Sequence, residues 1–438
     1  MPCRLYNFSN PEQWNQLSGL LQGRNTENPE VENAVRAIIN DVRERGDAAL
    51  LDYTRKFDCP GFSLDNLRVP YKELADAAAT LSPDDRSLIG KAIDNIRDFH
   101  TAQVEQSWLK TRPDGSVVGQ EVRPVKAAGL YVPGGQGGTT PLISTLLMTA
   151  VPALEAGVKE VVIVSPPGAD GRLNPYLLAT AYILGIEEVY ALGSAWAVAA
   201  LAYGTKTITP VDVIAGPGNI YVTCAKRMVA GQVGIDMLAG PSEILIVADQ
   251  HASPILVAAD MLSQAEHDPL ASAVCISDSA NLLKNIAVEL EIQLASLPRK
   301  EIAKRSLADW GALVEVNNLE EAIGLANLIA PEHLELMVDE PWVLLGQVQN
   351  AGAVFLGANT PEAMGDYFAG PNHVLPTMGT ARFSSSLSVQ TFTKRINFIY
   401  SSAEYAAASA PHIAQLARLE GLEAHAHSAE LRRFTKNQ

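Results

Sequence analysis

The chain has 438 residues, a length that allows two or three domains and a sizeable core. Apolar residues make up 47% and charged residues 19%, a balance that excludes a wholly disordered or fibrous chain. Asp and Glu number 49 against 33 Lys and Arg, and the resulting net charge of −16 argues against a nucleic-acid binder that relies on phosphate neutralisation.

Cys3, Cys59, Cys224 and Cys275 are far apart, with no C-x-x-C pair, a usage that suits a reducing cytoplasm. The N-terminus MPCRLYNFSNPEQWNQL lacks the basic and apolar regions of a signal peptide, and no window reaches about 18 uninterrupted apolar residues. The expectation is a soluble cytoplasmic protein with no export signal and no membrane span.

In chain order, PEVENAVRAIINDVRER sets Val31, Val35, Ile38, Ile39 and Val42 on one stripe with charges opposite, which predicts helix from Pro29 to about Phe57. A second polar helical region runs from about Tyr71 to Gln106. Neither carries a chemical motif, and both read as helices packed onto a larger body. After Asp114-Gly115 helices and short apolar strands alternate: helix 141–157, strand 161–165, helix 173–185, strand 189–193, helix 196–203, strand 211–216 and a helix to about 230. Strand 243–248, helix 253–267, strand 273–277 and helix 279–295 repeat the scheme, and strands near 312–316, 333–338 and 353–356 follow.

Such alternation predicts α/β layers with mostly parallel sheets. The expected fold is α/β, with two similar, incomplete Rossmann-like domains: an N-terminal helical region 1–115, a first α/β domain 116–240, a second 241–380, and a small C-terminal tail domain 381–438. The tail holds a final helix from about Ala403 to Leu419 and a polar end. It is too small to bury its own apolar face, so it must pack on something else, a neighbouring subunit being one candidate.

Two glycine loops invite a nucleotide reading, PGGQGGTTP at 133–141 and GPGN at 216–219, because glycine lets backbone amides approach phosphate at a helix N-terminus. Neither is G-x-G-x-x-G, and each alone reads more simply as a tight turn. In DMLSQAEHDPL, Gln264 and His267 lie three residues apart on an expected helix, about 60° apart on its wheel, so both can reach one ion. Further candidate ligands are Asp366 and either His425 or His427; imidazole with amide and carboxylate oxygen suits zinc or a similar divalent ion. APEHLEL places Glu332 and His333 side by side at the start of an apolar strand, where a carboxylate and an imidazole can share proton transfer. A satisfied histidine at a capped strand start is the plainer alternative.

Taken in order, VDVIAGPGNIYVTCAKR, IDMLAGPSEILIVAD, DMLSQAEHDPLA, APEHLEL, GAVFLGANTPEAMGDYFAGPNHVLPT and EGLEAHAHS resemble the histidinol dehydrogenases, over roughly residues 30–432. The resemblance implies oxidation of L-histidinol through histidinaldehyde to L-histidine with two NAD and a water, the last two steps of histidine biosynthesis. It implies one zinc per subunit on Gln264, His267, Asp366 and His425, with His425 preferred to His427 because it lies five residues after Glu420. Glu332 would activate the water and His333 would move the protons. Substrate contacts would come from Ser242, Glu362, His373 and Glu420 besides the zinc ligands and His333, and NAD contacts from Tyr131 and Asn219. The resemblance further implies a homodimer whose C-terminal segment crosses to the partner, making each site shared.

Two features depart from the family pattern. Trp196 stands where the family carries a glutamine that contacts the dinucleotide; the expectation is that this indole borders the cofactor as a contact surface, the alternative being a core filler on an Ala-rich helix. The first glycine loop is about three residues longer, by Gly137, Gly138 and a threonine. Competing readings are a paralogue acting on another small polar alcohol such as a sulfonated propanediol, an aldehyde dehydrogenase-like enzyme using Cys224 or Cys275, and a zinc-binding scaffold without redox activity. Glu362, His373 and Glu420, the residues on the histidinol side, favour histidinol.

Overall fold

The alternation read from the sequence forms two parallel sheets in the computed structural model, which describes residues 2–8, 10–24, 28–134 and 142–433. The strands in chain order are β1 (Arg4–Asn7), β2 (Trp108–Thr111), β3 (Val117–Pro124), β4 (Ala127–Tyr131), β5 (Glu160–Ser165), β6 (Glu188–Ala191) and β7 (Val213–Ala215). They continue as β8 (Gly234–Ile235), β9 (Glu243–Ala248), β10 (Ser272–Ser277), β11 (Ala312–Glu315), β12 (His333–Met337), β13 (Ala353–Leu356) and β14 (Thr393–Tyr400). The chain divides into two compact units, Met1–Gln103 with Lys126–Phe392, and Val104–Val125 with Thr393–Gln438.

In the first unit one sheet has the order β6-β5-β4-β7-β8 and the other β1-β11-β10-β9-β12-β13, and every pairing is parallel. Numbered within each half, and leaving aside β1, which adds to the second sheet beyond β11, both sheets read 3-2-1-4-5, the doubly wound order without its last strand. The expected pair of similar, incomplete Rossmann-like halves is therefore present. β9 and β10 are buried at every position, as parallel strands covered on both faces must be. One core, including Ile246, Met261, Cys275 and Ile286, lies under one face of the second sheet; another, including Leu245, Ile276, Ile323 and Leu334, lies under the opposite face.

The N-terminal region splits between the two sheets. β1 pairs with β11 at the edge of the second sheet, whereas the helix Pro29–Arg45 packs against the helices Ser194–Tyr203 and Ile220–Val229 of the first half. That helix begins where Asn28 accepts from the N–H groups of Glu30 and Val31 with Pro29 at its first position, and buries the five apolar residues of its stripe. The second helical region divides at Leu81-Ser82 into Tyr71–Thr80 and Pro83–Thr101, ending short of Gln106.

One boundary matters for the site. The helix Pro254–Ala265 stops two residues before His267, not at it. Pro269 disfavours helical backbone at Asp268, whose carboxylate accepts from the Leu270 N–H (2.8 Å) and sets a turn instead. His267 stays close because its N–H reaches the Gln264 carbonyl (3.2 Å).

The second unit is a three-stranded antiparallel sheet, β14-β3-β2, with the helices Ala403–Leu419 and Glu423–Leu431. Ala414, Ala417 and Ala426 pack these two helices together. The chain end read as polar from the sequence is thus helical over its described part. Among the described residues no helix is long and apolar enough to cross a membrane.

Candidate active site

An abrupt helix end places the Glu332–His333 pair. Ala330 closes the helix Leu319–Ile329 in the left-handed region, at φ 53°, and Pro331 cannot continue it, so the chain turns directly into β12. His333 is the first residue of that strand, opposite Ile244 of β9 and Ala353 of β13. Both members of the pair are buried, at 6% and 4% exposure.

The main chain of Glu243, the first residue of β9, holds them both. Its N–H donates to Glu332 Oε2 (2.8 Å) and its carbonyl accepts from His333 Nδ1 (3.0 Å). A carbonyl only accepts, so the neutral imidazole carries its proton on Nδ1 and presents Nε2 as a lone pair. Nε2 is buried without a hydrogen-bond partner, 3.9 Å from both Glu362 Oε1 and Asp366 Oδ1. Burial pushes His333 down to about 4, against the opposing pull of Asp366 and the Glu243 carbonyl. Burial likewise holds Glu332 well above the usual carboxylate range; the Glu243 N–H opposes that rise, while the acids Glu243, Glu362 and Asp366 add to it.

The short helix Glu362–Tyr367 brings two more carboxylates. Its first N–H donates to Glu335 Oε1 (2.9 Å), and Ser263 Oγ donates to Glu362 Oε2 (2.8 Å). Gly365 lets this helix lie on the Phe355 ring, since a Cβ there would come within 2.7 Å of it; that ring in turn lies 5.9 Å from the His333 imidazole. Burial, with Asp366 beside it, pushes Glu362 up to about 8. His373 donates from Nδ1 to the Asp366 carbonyl (3.0 Å) and is held below its ordinary value by burial. A cavity of about 120 Å³ opens between His333, Phe355, Asp366 and His373.

Ligand atoms of His267, Glu362 and Asp366 lie within 4.8 Å of one another, a set able to hold a metal ion. Gln264 is 1% exposed and its Oε1 is buried without a partner, an arrangement that costs roughly 1–3 kcal/mol unless something binds that oxygen. Imidazole, carboxylate and an unspent amide oxygen fit zinc or a similar divalent ion.

A family model for histidinol dehydrogenase matches residues 21–433. The chain belongs to the histidinol dehydrogenase family. It is 58% identical over 434 residues to the histidinol dehydrogenase of Oleidesulfovibrio alaskensis, covering 99% of this chain and 100% of that one. With the histidinol dehydrogenase of Bacillus subtilis it shares 50% over 403 residues, 92% and 93% of the two chains. The crystal structure of histidinol dehydrogenase from Elizabethkingia anophelis matches with a TM-score of 0.92 at 37% identity, over 98% of both chains.

The other residues expected from the resemblance are placed as follows. Ser242 immediately precedes β9, and its carbonyl accepts from the Ser272 N–H (3.1 Å). Tyr131 ends β4; its buried hydroxyl accepts from the Ser194 N–H (3.1 Å), and burial pushes it up to about 12. Asn219 caps the helix Ile220–Val229 by accepting from the N–H groups of Tyr221 and Val222. The GPGN turn is pinned by a buried pair, with Lys226 Nζ donating to the Gly216 carbonyl (2.8 Å) and bonded to Asp236, which accepts from the Gly216 N–H (2.8 Å). Gly216 needs its φ of 116°, and a Cβ there would fall 2.1 Å from the Tyr131 carbonyl oxygen. Residues 135–141, with Gly137 and Gly138, lie outside the described residues.

Trp196 is 3% exposed, with its ring 5.8 Å from Tyr53 and 5.6 Å from Phe57, each at 21°. The indole thus lies against the helix Asp47–Phe57, where Phe57 is 56% exposed, and its Nε1 is buried without a hydrogen-bond partner. Glu420 and His425 belong to the second unit, in the turn after the helix Ala403–Leu419 and on the helix Glu423–Leu431, and both are exposed there. Cys275 is fully buried in β10, where burial pushes its thiol up strongly, and Cys224 is buried in a helix; neither suits a nucleophile. The sequence reading passed over Glu243, Ser263 and Glu335. A carboxylate inside the apolar strand EILIVA or HLELM was the available signal, since such a group stays buried only with partners.

Proposed function

We propose that this chain oxidises L-histidinol through histidinaldehyde to L-histidine, the last two steps of histidine biosynthesis, as a cytoplasmic homodimer. The observation that carries the reading is the buried Glu332–His333 pair with His333 Nε2 unspent beside Glu362 and Asp366. Zinc would be held by Gln264, His267, Asp366 and His425, with Glu420 and His425 coming from the partner subunit; Ser242, Glu362, His373 and Glu420 would contact substrate. When bound, zinc supplies an anchor for the substrate's nitrogens and NAD, beside Tyr131 and Asn219, supplies a hydride acceptor.

His333 Nε2 takes the proton of the carbinol oxygen as the carbon gives up a hydride, leaving the aldehyde. Its Nδ1–H stays on the Glu243 carbonyl, so the ring is already oriented and in the right tautomer. Glu332 then takes a proton from water as the water oxygen bonds to the aldehyde carbon. The Glu243 N–H on Glu332 Oε2 holds this carboxylate in place for that transfer. His333 returns its first proton to the former carbonyl oxygen, completing the hydrate; the hydrate then loses the second hydride while His333 again accepts a hydroxyl proton, and the resulting acid ionises to the carboxylate of histidine. The overall balance is histidinol, two NAD and water giving histidine, two NADH and three protons.

Purified protein given histidinol and NAD should form two NADH per histidine, and a chelator should abolish turnover. No NADH from histidinol would overturn the proposal, and turnover of a sulfonated propanediol in its place would establish the paralogue. An inactive His333→Ala dimer mixed with an inactive His425→Ala dimer should recover part of the activity after exchange, because one site then holds neither defect. No recovery despite exchange verified by mass would contradict shared sites.

A further inference from the structure

Resting on the assignment of Glu332 and His333 as the acid–base pair, we propose that Arg24, acting through Glu243, is a positioning residue for both. Arg24 follows the helix Pro11–Gln22, far in sequence from every other group of the site. Its side chain is 1% exposed and forms an ion pair with Glu243, whose carboxylate is nearly as buried.

The two peptide groups that flank the Glu243 Cα are the ones that hold Glu332 Oε2 and His333 Nδ1. Any rotation of this one residue's backbone therefore moves both reacting side chains together. Being in β9 fixes its strand direction, and its side chain fixes the rest: one carboxylate oxygen is bonded to Arg24, and the other accepts from the Met378 N–H (2.9 Å). Met378 itself sits at φ 56°, a conformation a non-glycine residue keeps only when its surroundings impose it.

Arg24 also donates to the Leu270 carbonyl (3.3 Å), in the turn that follows His267. One guanidinium thus ties the start of β9 to the turn beyond a candidate metal ligand. Its Nε is buried and without a partner, so the side chain is not placed to satisfy all its donors. It is aimed at Glu243 and Leu270. Lysine has a single nitrogen and cannot serve both directions with a planar fork, so it should replace arginine only in part.

The test compares wild-type dimer with Arg24→Met, Arg24→Lys and Glu243→Gln, reading kcat, KM for histidinol, zinc content and melting temperature. Misplacing both catalytic groups should lower kcat about a hundredfold in Arg24→Met, with KM changed by less than about threefold and zinc retained. Arg24→Lys should recover part of that loss, and Glu243→Gln, which keeps the main-chain groups, should lose kcat like Arg24→Met. If Arg24→Met does not fold, the other two variants carry the measurement. A folded variant set with kcat within about twofold of wild type, and a lower melting temperature alone, would make the pair merely structural and overturn the proposal. A fall in kcat that tracks lost zinc would overturn it as well. Wild-type enzyme inactive on histidinol would instead overturn the function proposed above, so the two failures are distinct.

Discussion

The two parallel sheets share a strand order but gather their polar groups at opposite ends. In the first, Tyr131 lies at the carboxyl end of β4, and Ser194 and Asn219 lie beyond those of β6 and β7, where open α/β sheets bind their ligands. In the second, Glu243, Glu332 and His333 cluster at the amino ends of β9 and β12. The chemical state of the groups differs too. At the first edge they satisfy one another: Tyr131 with Ser194, Asn219 with the helix it caps, Lys226 with Asp236 and Gly216. At the second edge, His333 Nε2 and the Gln264 amide oxygen are buried and unspent. Strand order alone therefore does not distinguish the edges, and unspent buried groups occur in both halves, Asp58 Oδ2 and Trp196 Nε1 in the first; what sets the second edge apart is that its unspent acceptors lie beside carboxylates and an imidazole able to hold an ion.

The comparison breaks most severely if the second edge loses its metal set. His267→Asn should reduce turnover by three orders of magnitude or more, roughly, and lower zinc content with it, since no neighbour replaces a lost imidazole ligand. Full zinc occupancy by elemental analysis would detach His267 from the metal. At the first edge the effects should be on stability. Trp196→Ala removes a ring packed on Tyr53 and Phe57 and should cost about 3–5 kcal/mol of unfolding free energy, with the KM for NAD unchanged in the folded enzyme. A changed KM for NAD with little loss of stability would return the indole to the cofactor site.

The smallest effect is expected at Asp58, just past the helix that carries Tyr53 and Phe57. One of its carboxylate oxygens is buried without a partner, and burial pushes the group up to about 6. The folded state then holds a proton that the unfolded chain, at 3.8, has released, so stability falls as pH rises from 3.8 to about 6. Asp58→Asn should match wild type near pH 4 and melt about 2–4 °C higher above pH 6. Equal melting temperatures across that range would mean that the carboxylate is solvated.

Much of the architecture was legible because the strands of the two parallel sheets are apolar runs flanked by helical stripes. EILIVA was located to the residue, and His333 was placed at a strand start. β2, β3 and β14 were not, because β2 and β14 are largely exposed, β3 is mostly half-buried, and none carries an alternation to read. The helix holding Gln264 was drawn two residues too long, since periodicity does not register the Asx turn that Asp268 makes ahead of Pro269. At the site, Glu332, His333, Gln264, His267 and Asp366 were visible as residue types in motifs. Glu243 was hidden because it works through its peptide groups, which any residue possesses. Arg24 was hidden because its partner is 219 positions away.

The central claim is that Glu332 activates water at a proton-transfer site built on the amino edge of the second sheet. Its most direct test is Glu332→Gln given histidinaldehyde, with NAD in one arm and NADH in the other, because oxidation of the aldehyde needs water and its reduction to histidinol does not. The account predicts that oxidation slows by a factor of about 10²–10⁴ while reduction slows by less than about tenfold. Equal losses in both directions would contradict it and leave Glu332 a structural residue.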